Sequence, residues 1–451
     1  MNSSLFIHFY RYLVYPLLWA GLKLFSYIDP KIALGFQLRR KQNNIWPWIA
    51  NLPEQKPIWF HCSSLEFEYA RIVIHKIKAA NPKEKILVTF FSPSVQKQLA
   101  ENKDIDFHCP LPWDTKKHVS EFLRHHQPKA LLIARTDVWP EILFQCNNLQ
   151  IPSLLFSATL TEKGGRTNPL VKPFYKWVMS QLSQIYCVCD LDLKQFQKLG
   201  LEQNCEIGGD TRYEQVLERL KNPNVLKPAL HNKSPDAPIT LVAGSTWSQD
   251  EGALIKAFGV LRKDFSPPAM ILVPHEPTSE HLSTIEALLK ALQIPFQFYS
   301  FVKNYPKAGE ILIIDKVGIL AELYTLGELA FVGGSFKKEV HSVMEALAAG
   351  CVTFVGPHYK NNREAQEFMS IELPLKQSVG HIEPGFNPLP FGFSVVTKTK
   401  NARDLAYQLS QILDNERSDF EKSAVLIKEE VKNRANATEK VLHWIQSNHR
   451  S

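Results

Sequence analysis

Short apolar runs alternate with amphipathic stretches along most of the chain. Runs rich in Ile, Val, Leu and Phe predict strands, because they are too short for buried helices. These runs are Ile58–Cys62, Ile86–Phe91, Ala130–Ala134, Ser153–Ser157 and Ile185–Cys189 in the first half, and Ile239–Ala243, Met270–Val273, Ile311–Ile314, Leu329–Val332 and Val352–Val355 in the second. Helical spacing lies between them, as in Phe67–Ala80, His118–His126, Gln249–Arg262, Ser279–Leu292, Gly318–Leu326, His341–Ala349, Asn361–Phe368, Ala402–Leu413 and Phe420–Ser447. This alternation predicts an α/β fold with doubly wound parallel sheets covered by helices on both faces.

A polar, proline-containing stretch from Lys221 to Pro238 has the composition of an interdomain linker. The predicted organisation is an N-terminal helix over residues 1–28 and two Rossmann-like domains, residues 29–225 and 226–451. Ligands of such sheets bind beyond the carboxyl ends of the strands. Two domains of this kind are therefore expected to face a cleft that holds the ligands.

The N-terminus is apolar and aromatic from Leu5 to Ile28, with Pro16 in the middle. Its uninterrupted part, Tyr12 to Leu22, is too short to cross a hydrocarbon layer of ~30 Å. We therefore expect a helix that lies in the membrane interface, the alternative being a core helix of the first domain. The cations at residues 39–41 favour a cytoplasmic location for the remaining chain.

Composition narrows the class of partner. The net charge is +7, which fits attraction to anionic lipid or phosphate, but also fits an ordinary soluble surface. The sequence has no dense stripe of Lys and Arg with interleaved aromatic residues, the pattern that would indicate nucleic-acid binding. The seven cysteines are scattered, Cys187 and Cys189 have a poor zinc spacing, and no cluster of metal ligands stands out. A reducing compartment with buried thiols is expected.

Two glycine-containing turns at predicted strand ends suit an anionic ligand. Gly244-Ser245-Thr246 follows one strand, and Gly333-Gly334-Ser335 follows another. Glycine lets the backbone approach a ligand closely, and a following helix presents free N–H groups. Hydroxyls of Ser245, Thr246 and Ser335 are candidates for further hydrogen bonds, although glycine also serves simple chain reversal in such folds.

Two pairs of polar residues follow in predicted helices. His341 and Glu345 are four residues apart, which places them on one face of a helix. Asn361 and Glu364 are three apart in a first helical turn, where a carboxylate is able to accept both hydrogens of a ribose diol. Helix capping or an exposed helix charge explains each pair equally well.

In the first half, Glu66 follows the strand that ends near Cys62 and opens the next helix. A carboxylate at this edge is placed to remove a proton from an incoming hydroxyl. The alternative is an acid that only stabilises the helix start.

Taken together, several strings resemble the 3-deoxy-D-manno-octulosonic acid (Kdo) transferases, inverting glycosyltransferases of the GT-B fold. The resemblance covers nearly the whole chain and keeps the order of the strings. The most specific strings are Gly209-Asp210-Thr211-Arg212-Tyr213, Val242-Ala243-Gly244-Ser245-Thr246-Trp247, Phe331-Val332-Gly333-Gly334-Ser335, Phe354-Val355-Gly356-Pro357-His358 with Asn361 to Glu364, and Arg135-Thr136-Asp137-Val138-Trp139-Pro140.

The resemblance implies transfer of Kdo from CMP-Kdo to a lipid A precursor in lipopolysaccharide synthesis, on the cytoplasmic side of the inner membrane and without a cofactor. Residues 29–225 would bind the acceptor, and residues 226–451 the donor. Glu66 would be the general base, and Asp137 and Arg212 would stabilise the transition state. The implied CMP-binding residues are Ser245, Thr246, Pro274, His275, Val317, Gly318, Ile319, Gly334, Ser335, His341, Ser342, Glu345, Asn361 and Glu364.

Some positions depart from the family pattern. His275 stands where many members carry Arg, Ser342 where Asn is common, and Arg135 where an acid is usual. The glycine that usually precedes the base is missing before Glu66. Two alternatives follow: a GT-B transferase that uses another nucleotide sugar, and an inactive relative that only binds lipid or a partner.

Overall fold

Two seven-stranded parallel sheets organise the chain. The computed structural model describes residues 3–42, 56–64, 66–160, 168–221, 226–231, 233–234, 236–264, 267–376 and 392–448. The chain divides into a first domain, Met1–Gln215 with Arg434–Ser451, and a second domain, Val216–Asn433. The predicted α/β class with two doubly wound domains is therefore confirmed.

The sheet of the first domain has the order β3-β2-β1-β4-β5-β6-β7. Its strands are β1 Ile58–His61, β2 Ile86–Phe90, β3 Phe107–Pro110, β4 Ala130–Ala134, β5 Ser153–Ala158, β6 Gln184–Cys187 and β7 Cys205–Ile207. Because β1 pairs with β2 on one side and β4 on the other, successive strands leave in opposite directions from β1. The turns that follow β1 and β4 thus flank a topological switch point, where open α/β sheets bind ligands.

The sheet of the second domain repeats this plan in the order β10-β11-β9-β8-β12-β13-β14. Its strands are β8 Thr240–Thr246, β9 Ala269–Pro274, β10 Phe296–Phe298, β11 Ile311–Ile313, β12 Leu329–Val332, β13 Val352–Val355 and β14 Val396–Lys398. Here the switch point lies between β8 and β12; Gly244-Ser245-Thr246, predicted as a turn, forms the irregular end of β8, and the Gly333 turn follows β12.

Helices separate the strands in both domains. Those up to the domain boundary are α1 Ser3–Phe9, α2 Tyr15–Phe25, α3 Pro30–Gln42, α4 Phe67–Ala80, α5 Gln96–Glu101, α6 Lys116–His126, α7 Pro140–Asn148, α8 Lys172–Met179, α9 Asp190–Gln197 and α10 Arg212–Lys221. The others are α11 Pro228–His231, α12 Ser248–Asp264, α13 Ser279–Ala291, α14 Leu320–Tyr324, α15 Met344–Ala349, α16 Arg363–Phe368, α17 Ala402–Leu413, α18 Arg417–Arg434 and α19 Ala437–Asn448.

Each of the ten apolar runs contains a strand, with ends shifted by a few residues. The four strands without a predicted counterpart, β3, β7, β10 and β14, are the four sheet edges. An edge strand is paired on one side only and is short, so its residues need not form a continuous apolar run. In β7, for example, Glu206 and Ile207 are exposed.

The N-terminal residues form one helical run from Ser3 to Phe25, with a π-helical segment at Tyr10–Val14. There the N–H of Tyr15 bonds to the carbonyl of Tyr10, one residue further back than in an α-helix. Pro16 follows at once, and because it has no N–H to donate, a change of hydrogen-bond register costs little at this point.

This helical run belongs to the core of the first domain on one side. Ile7, Tyr10 and Tyr15 are buried in its hydrophobic cluster, as the alternative interpretation expected. No described helix is both long enough and apolar enough to cross a membrane. Arg39 is not a surface cation, since it is 4% exposed and donates to the carbonyls of Leu111 and Gly35.

The predicted end of the first domain at residue 225 needs correction. The division falls inside α10, and α19 returns to the first domain rather than closing the second. The reason is burial: Val441, Trp444 and Ile445 join the core cluster beside α4. The N–H of Thr438 also donates to the Glu214 carboxylate at 2.6 Å. The predicted linker Lys221–Pro238 contains the short helix α11, and part of it lies outside the described residues.

Candidate functional site

Glu66 lies at the carboxyl edge of the first sheet, beyond β1 and directly before α4. It is half-buried, and its carboxylate accepts the backbone N–H of Ser64 at 2.7 Å. This bond folds the side chain back over its own turn and fixes one carboxylate oxygen. Its role as a base stays a prediction.

Asp137 follows β4, the neighbour of β1 across the switch point. Its Oδ2 atom accepts the indole N–H of Trp139 at 3.2 Å and the hydroxyl of Ser63, and lies 3.3 Å from Nε2 of His61. Because Ser63 and His61 belong to the β1 end, the structure brings Asp137 to the turn that carries Glu66. Hydrogen bonds to the charged form of a carboxylate stabilise that form.

Arg212 begins α10 and is held by its neighbour. Its Nε and Nη2 atoms donate to Asp210, the closest contact being 2.8 Å, and Asp210 is buried. The guanidinium also lies over the ring of Tyr69, 4.5 Å from its centre. Thr211 fixes this turn to α4 by donating to the carbonyl of Tyr69 at 2.7 Å. Within the first domain, Asp137 thus contacts the turn that carries Glu66, and Arg212 contacts Tyr69 on the helix that follows this turn.

In the second domain, the irregular end of β8 and the turn after β12 touch each other. Ser245 adopts a φ of 53°, and the pairing of β8 with β9 is irregular at this residue. A Cβ atom on Gly333 would lie 2.3 Å from the carbonyl oxygen of Ser245. Glycine is therefore required at 333 for close packing of the turns, as well as at Gly334, whose φ is 86°.

The amides of the second turn are already satisfied, which corrects the expectation that they await an anion. Asp250, a fully buried residue of α12, accepts the N–H groups of Gly334 at 2.7 Å and Phe336 at 2.9 Å. It also accepts the N–H of Trp247 at 2.9 Å. A cluster of convergent amides is an anion site, and here a carboxylate of the chain fills it. Asp250 was not among the predicted residues; only its position in the first turn of a helix after the Gly244 turn hinted at it.

Two predicted hydroxyls also serve the turns themselves. Ser335 is fully buried, donates to the carbonyl of Val332 and accepts the N–H of Gly356 at 2.7 Å. Thr246 is fully buried and donates to the Glu251 carboxylate at 2.9 Å. Neither geometry supports a hydroxyl contact with a ligand, so we assign both residues to shaping the turns.

Three rings form a stack at the carboxyl ends of β8, β9 and β12. The rings of Trp247 and His275 are 4.8 Å apart, and those of His275 and His341 are 4.5 Å apart and nearly parallel. Trp247 donates its indole N–H to Nε2 of His341 at 3.0 Å. Burial and the neighbouring His275 lower the pKa of His341, in keeping with a neutral ring that accepts this bond. Lys337 lies over Trp247 at 3.4 Å and supplies a cation.

The helix predicted from His341 begins later, at Met344, so His341 and Glu345 do not share a helix face. The backbone of His341 is instead held to the turn by its N–H bond to Gly333. Ser342 is exposed and accepts the N–H of Met344 at 3.4 Å. Glu345 pairs with Arg219 at 2.9 Å.

Asn361 and Glu364 do not form the simple pair that their spacing suggested. Asn361 precedes α16 and exchanges two hydrogen bonds with the backbone of Val340. The capping residue is Asn362, which accepts the N–H of Ala365 at 2.8 Å. Glu364 is 3% exposed, so a ribose diol would reach it only at its edge.

The remaining predicted donor residues lie at strand ends. Pro274 is the buried last residue of β9, and His275 after it is exposed. Val317 is exposed, Gly318 has a φ of 86° with open space around its Cα, and Ile319 is buried before α14. As contacts to CMP, all of these residues stay predictions.

Comparison with known proteins agrees with this architecture. Solved structures of a UDP-GlcNAc 2-epimerase from Neisseria meningitidis and a glycosyltransferase from Rickettsia africae superpose with TM-scores of 0.58 and 0.57. They cover 87% and 88% of this chain and all of theirs, each at 12% identity, which shows the fold alone. The two parallel-sheet α/β domains are thus those of GT-B glycosyltransferases and related epimerases.

Sequence relatives are more specific. A bifunctional glycosyltransferase/methyltransferase from Fusobacterium nucleatum is 23% identical over 69% of this chain, and the match spans about half of that protein, 49%. The 3-deoxy-D-manno-octulosonic acid transferase of Aquifex aeolicus is 26% identical over 70% of this chain and 80% of its own length. A family model described as 3-deoxy-D-manno-octulosonic-acid transferase (kdotransferase) matches residues 35–215, the part that contains Glu66, Asp137 and Arg212. The chain is thus similar in sequence to the 3-deoxy-D-manno-octulosonic acid (Kdo) transferases.

Proposed function

We propose that this protein is an inverting glycosyltransferase that moves Kdo from CMP-Kdo to a hydroxyl of a lipid A precursor. The observation that carries the proposal is the position of Glu66, a half-buried carboxylate beyond β1 at the switch point of the first sheet. The similarity to Kdo transferases suggests the donor and acceptor classes. The neighbouring Asp137 and Arg212 supply fixed charges at the same edge of the sheet.

In the proposed reaction the acceptor oxygen forms a bond to the anomeric carbon while the bond from that carbon to the CMP oxygen breaks. The electron pair of the broken bond leaves with CMP, and Glu66 takes the hydroxyl proton. Attack from the face opposite the leaving group inverts the anomeric centre. The bond from the Ser64 N–H restricts the Glu66 side chain, which lowers the entropy cost of presenting it to the acceptor.

Charge on the departing phosphate needs compensation, which we assign to cationic side chains. Gly334 and Phe336 already donate their N–H groups to Asp250. Arg212 in the first domain and Lys337 beside the ring stack in the second keep fixed positive charge. The stack of Trp247, His275 and His341 offers flat rings for the donor.

The test is transfer by purified full-length protein from CMP-Kdo to a lipid A precursor, with products read by mass. Glu66→Gln keeps the shape of the side chain but cannot accept the proton, so we expect a loss of ~10²- to 10⁴-fold in kcat. Glu68→Gln is the matched control, because Glu68 lies on the same helix and pairs with Arg71 at 3.0 Å. Its rate should stay near that of the wild type.

Other results would reject the proposal. If CMP-Kdo is inert while a UDP-sugar is consumed, the protein is a transferase with another donor. Equal near-zero rates for wild type and Glu66→Gln with every donor would instead favour a binding protein.

We also propose that the N-terminal helical run attaches the protein to the inner membrane from the cytoplasmic side. Its outer side carries exposed apolar residues, among them Leu17, Leu24 and Phe25, each more than 60% exposed. Exposed apolar side chains on a helix that is anchored to a core by its other face suit the interfacial region of a bilayer. Replacing Leu17 and Leu24 with Ser should weaken co-sedimentation with lipid vesicles without changing the fold, as judged by circular dichroism. Unchanged sedimentation would contradict this proposal.

A further inference from the structure

Arg135 occupies a strained position at the edge of the first sheet. It directly follows β4, and its φ of 69° is left-handed, which costs free energy for a residue with a Cβ atom. The position is kept because the Arg135 N–H donates to the carbonyl of Phe156 at 2.9 Å. Strain of this kind concentrates at functional sites, where it fixes the direction of a side chain.

The side chain of Arg135 is fixed as well. Its Nη1 atom donates to the hydroxyl of Tyr69 at 2.5 Å, and its guanidinium carbon lies 5.1 Å from the centre of the Tyr69 ring. Tyr69 is 7% exposed and lies on α4 three residues after Glu66. The guanidinium is therefore held close to the turn that presents the proposed base.

Arg135 and Arg212 differ in whether a carboxylate pairs with the guanidinium. Arg212 lies over the same ring, but it is already paired with the buried Asp210 at 2.8 Å. Within the described part of the chain, Arg135 forms no ion pair with a carboxylate. Asp137, two residues further on, has its Oδ2 atom engaged by Ser63 and Trp139. A phenol does not neutralise a guanidinium, which has five N–H donors to satisfy.

We infer that Arg135 binds an oxyanion of the acceptor and determines which acceptors are used. The chemistry is a phosphate monoester of the glycolipid or the carboxylate of an acidic sugar already attached to it. Both groups accept two parallel N–H bonds from a guanidinium. The inference rests on the proposed function, since that function supplies the acceptor, and it extends that function by naming a specificity-determining residue.

The experiment measures kcat and KM for three acceptors: a phosphorylated lipid A precursor, the same lipid after removal of its phosphates, and the lipid with one Kdo attached. Wild type is compared with Arg135→Gln, Arg135→Lys and Arg71→Gln. Arg71 is the matched control, because it is a cation on α4 that pairs with Glu68. We expect Arg135→Gln to raise KM on the order of ten- to a hundredfold for the acceptor whose anion is bound. Values of kcat at saturation should change little, and Arg135→Lys should recover part of the loss.

The three acceptors distinguish the sources of the anion. A rise in KM for both phosphate-bearing lipids but not for the dephosphorylated one assigns the phosphate. A rise confined to the Kdo-bearing lipid assigns the carboxylate. Equal changes for all three acceptors, or changes matched by Arg71→Gln, overturn the inference. If wild type transfers to no acceptor, the proposed function fails; fluorescence titration of the same lipids against wild type and Arg135→Gln then decides the role of Arg135 separately.

Discussion

Replacing Asp250 with Ala should loosen the turn after β12 more than any other single change at the second switch point. Asp250 is fully buried and accepts three backbone N–H groups, from Trp247, Gly334 and Phe336, at 2.7 to 2.9 Å. Alanine leaves those donors without an acceptor. Each buried unsatisfied group costs ~1 to 3 kcal/mol, and removal of a buried charge returns part of this sum. We expect a net destabilisation of about 3 to 5 kcal/mol in this domain.

The assay is amide hydrogen exchange by mass spectrometry on peptides that cover residues 331–341. A single unfolding curve is unsuitable because a two-domain chain need not unfold in one step. Exchange in these peptides should accelerate by roughly two to three orders of magnitude, since each 1.4 kcal/mol is a factor of ten. Asp250→Asn keeps one oxygen acceptor and should have an intermediate effect. Glu421→Ala, at an exposed position of α18, is the control.

The three N–H groups that lose their acceptor in Asp250→Ala also allow a positive test. If they form an anion cluster that Asp250 fills, phosphate or acetate should slow exchange in Asp250→Ala and leave wild type unchanged. Exchange in Asp250→Ala at the wild-type rate would refute the reasoning, because it would show that the carboxylate does not hold the turn.

Further predictions concern pH and packing. Burial, which outweighs the bonds from Tyr10 and the amides of α7, raises the pKa of Asp114 to about 7. Because its pKa is higher in the folded protein, Asp114 keeps its proton up to a higher pH there than in the unfolded chain. Its contribution to the free energy of unfolding is therefore lost as pH rises from about 4 to 7. Asp114→Asn cannot ionise and should therefore gain stability relative to wild type between pH 5 and pH 8, measured by amide hydrogen exchange in first-domain peptides with both proteins compared at each pH; a constant difference would contradict this. Gly333→Ala places a Cβ 2.3 Å from a backbone oxygen and should cost about 3 kcal/mol, whereas Gly318→Ala, with open space but a φ of 86°, should cost about 1 kcal/mol, both measured by amide hydrogen exchange in second-domain peptides. Equal costs would show that the backbone relaxes around residue 333.

Whether a site residue could be predicted from the sequence depends on how far along the chain its contacts lie. Glu66 was proposed from sequence because it follows an apolar strand, and Asp137 because the string that contains it resembles one in the Kdo transferases; the carboxyl ends of neighbouring parallel strands then bring the two together at one edge. Asp250 was missed because two of its three partners, Gly334 and Phe336, lie 84 and 86 residues further along the chain. Only Trp247 is close to it in sequence. Arg135 was noted only as a departure from the family pattern, since its contact with Tyr69 spans 66 residues.

The amino-acid sequence by itself determined the ten interior strands, the α/β class and the starts of α13 and α17, which carry the side-chain caps Thr278 and Asn401. Strands buried on both faces must be apolar throughout, and a cap acts within a few residues, so both leave a local pattern. The four edge strands, the return of α19 to the first domain and the filling of the amide cluster by Asp250 were decided only by tertiary structure. Each depends on burial or pairing between distant segments, whose free energy is gained only once those segments have come together.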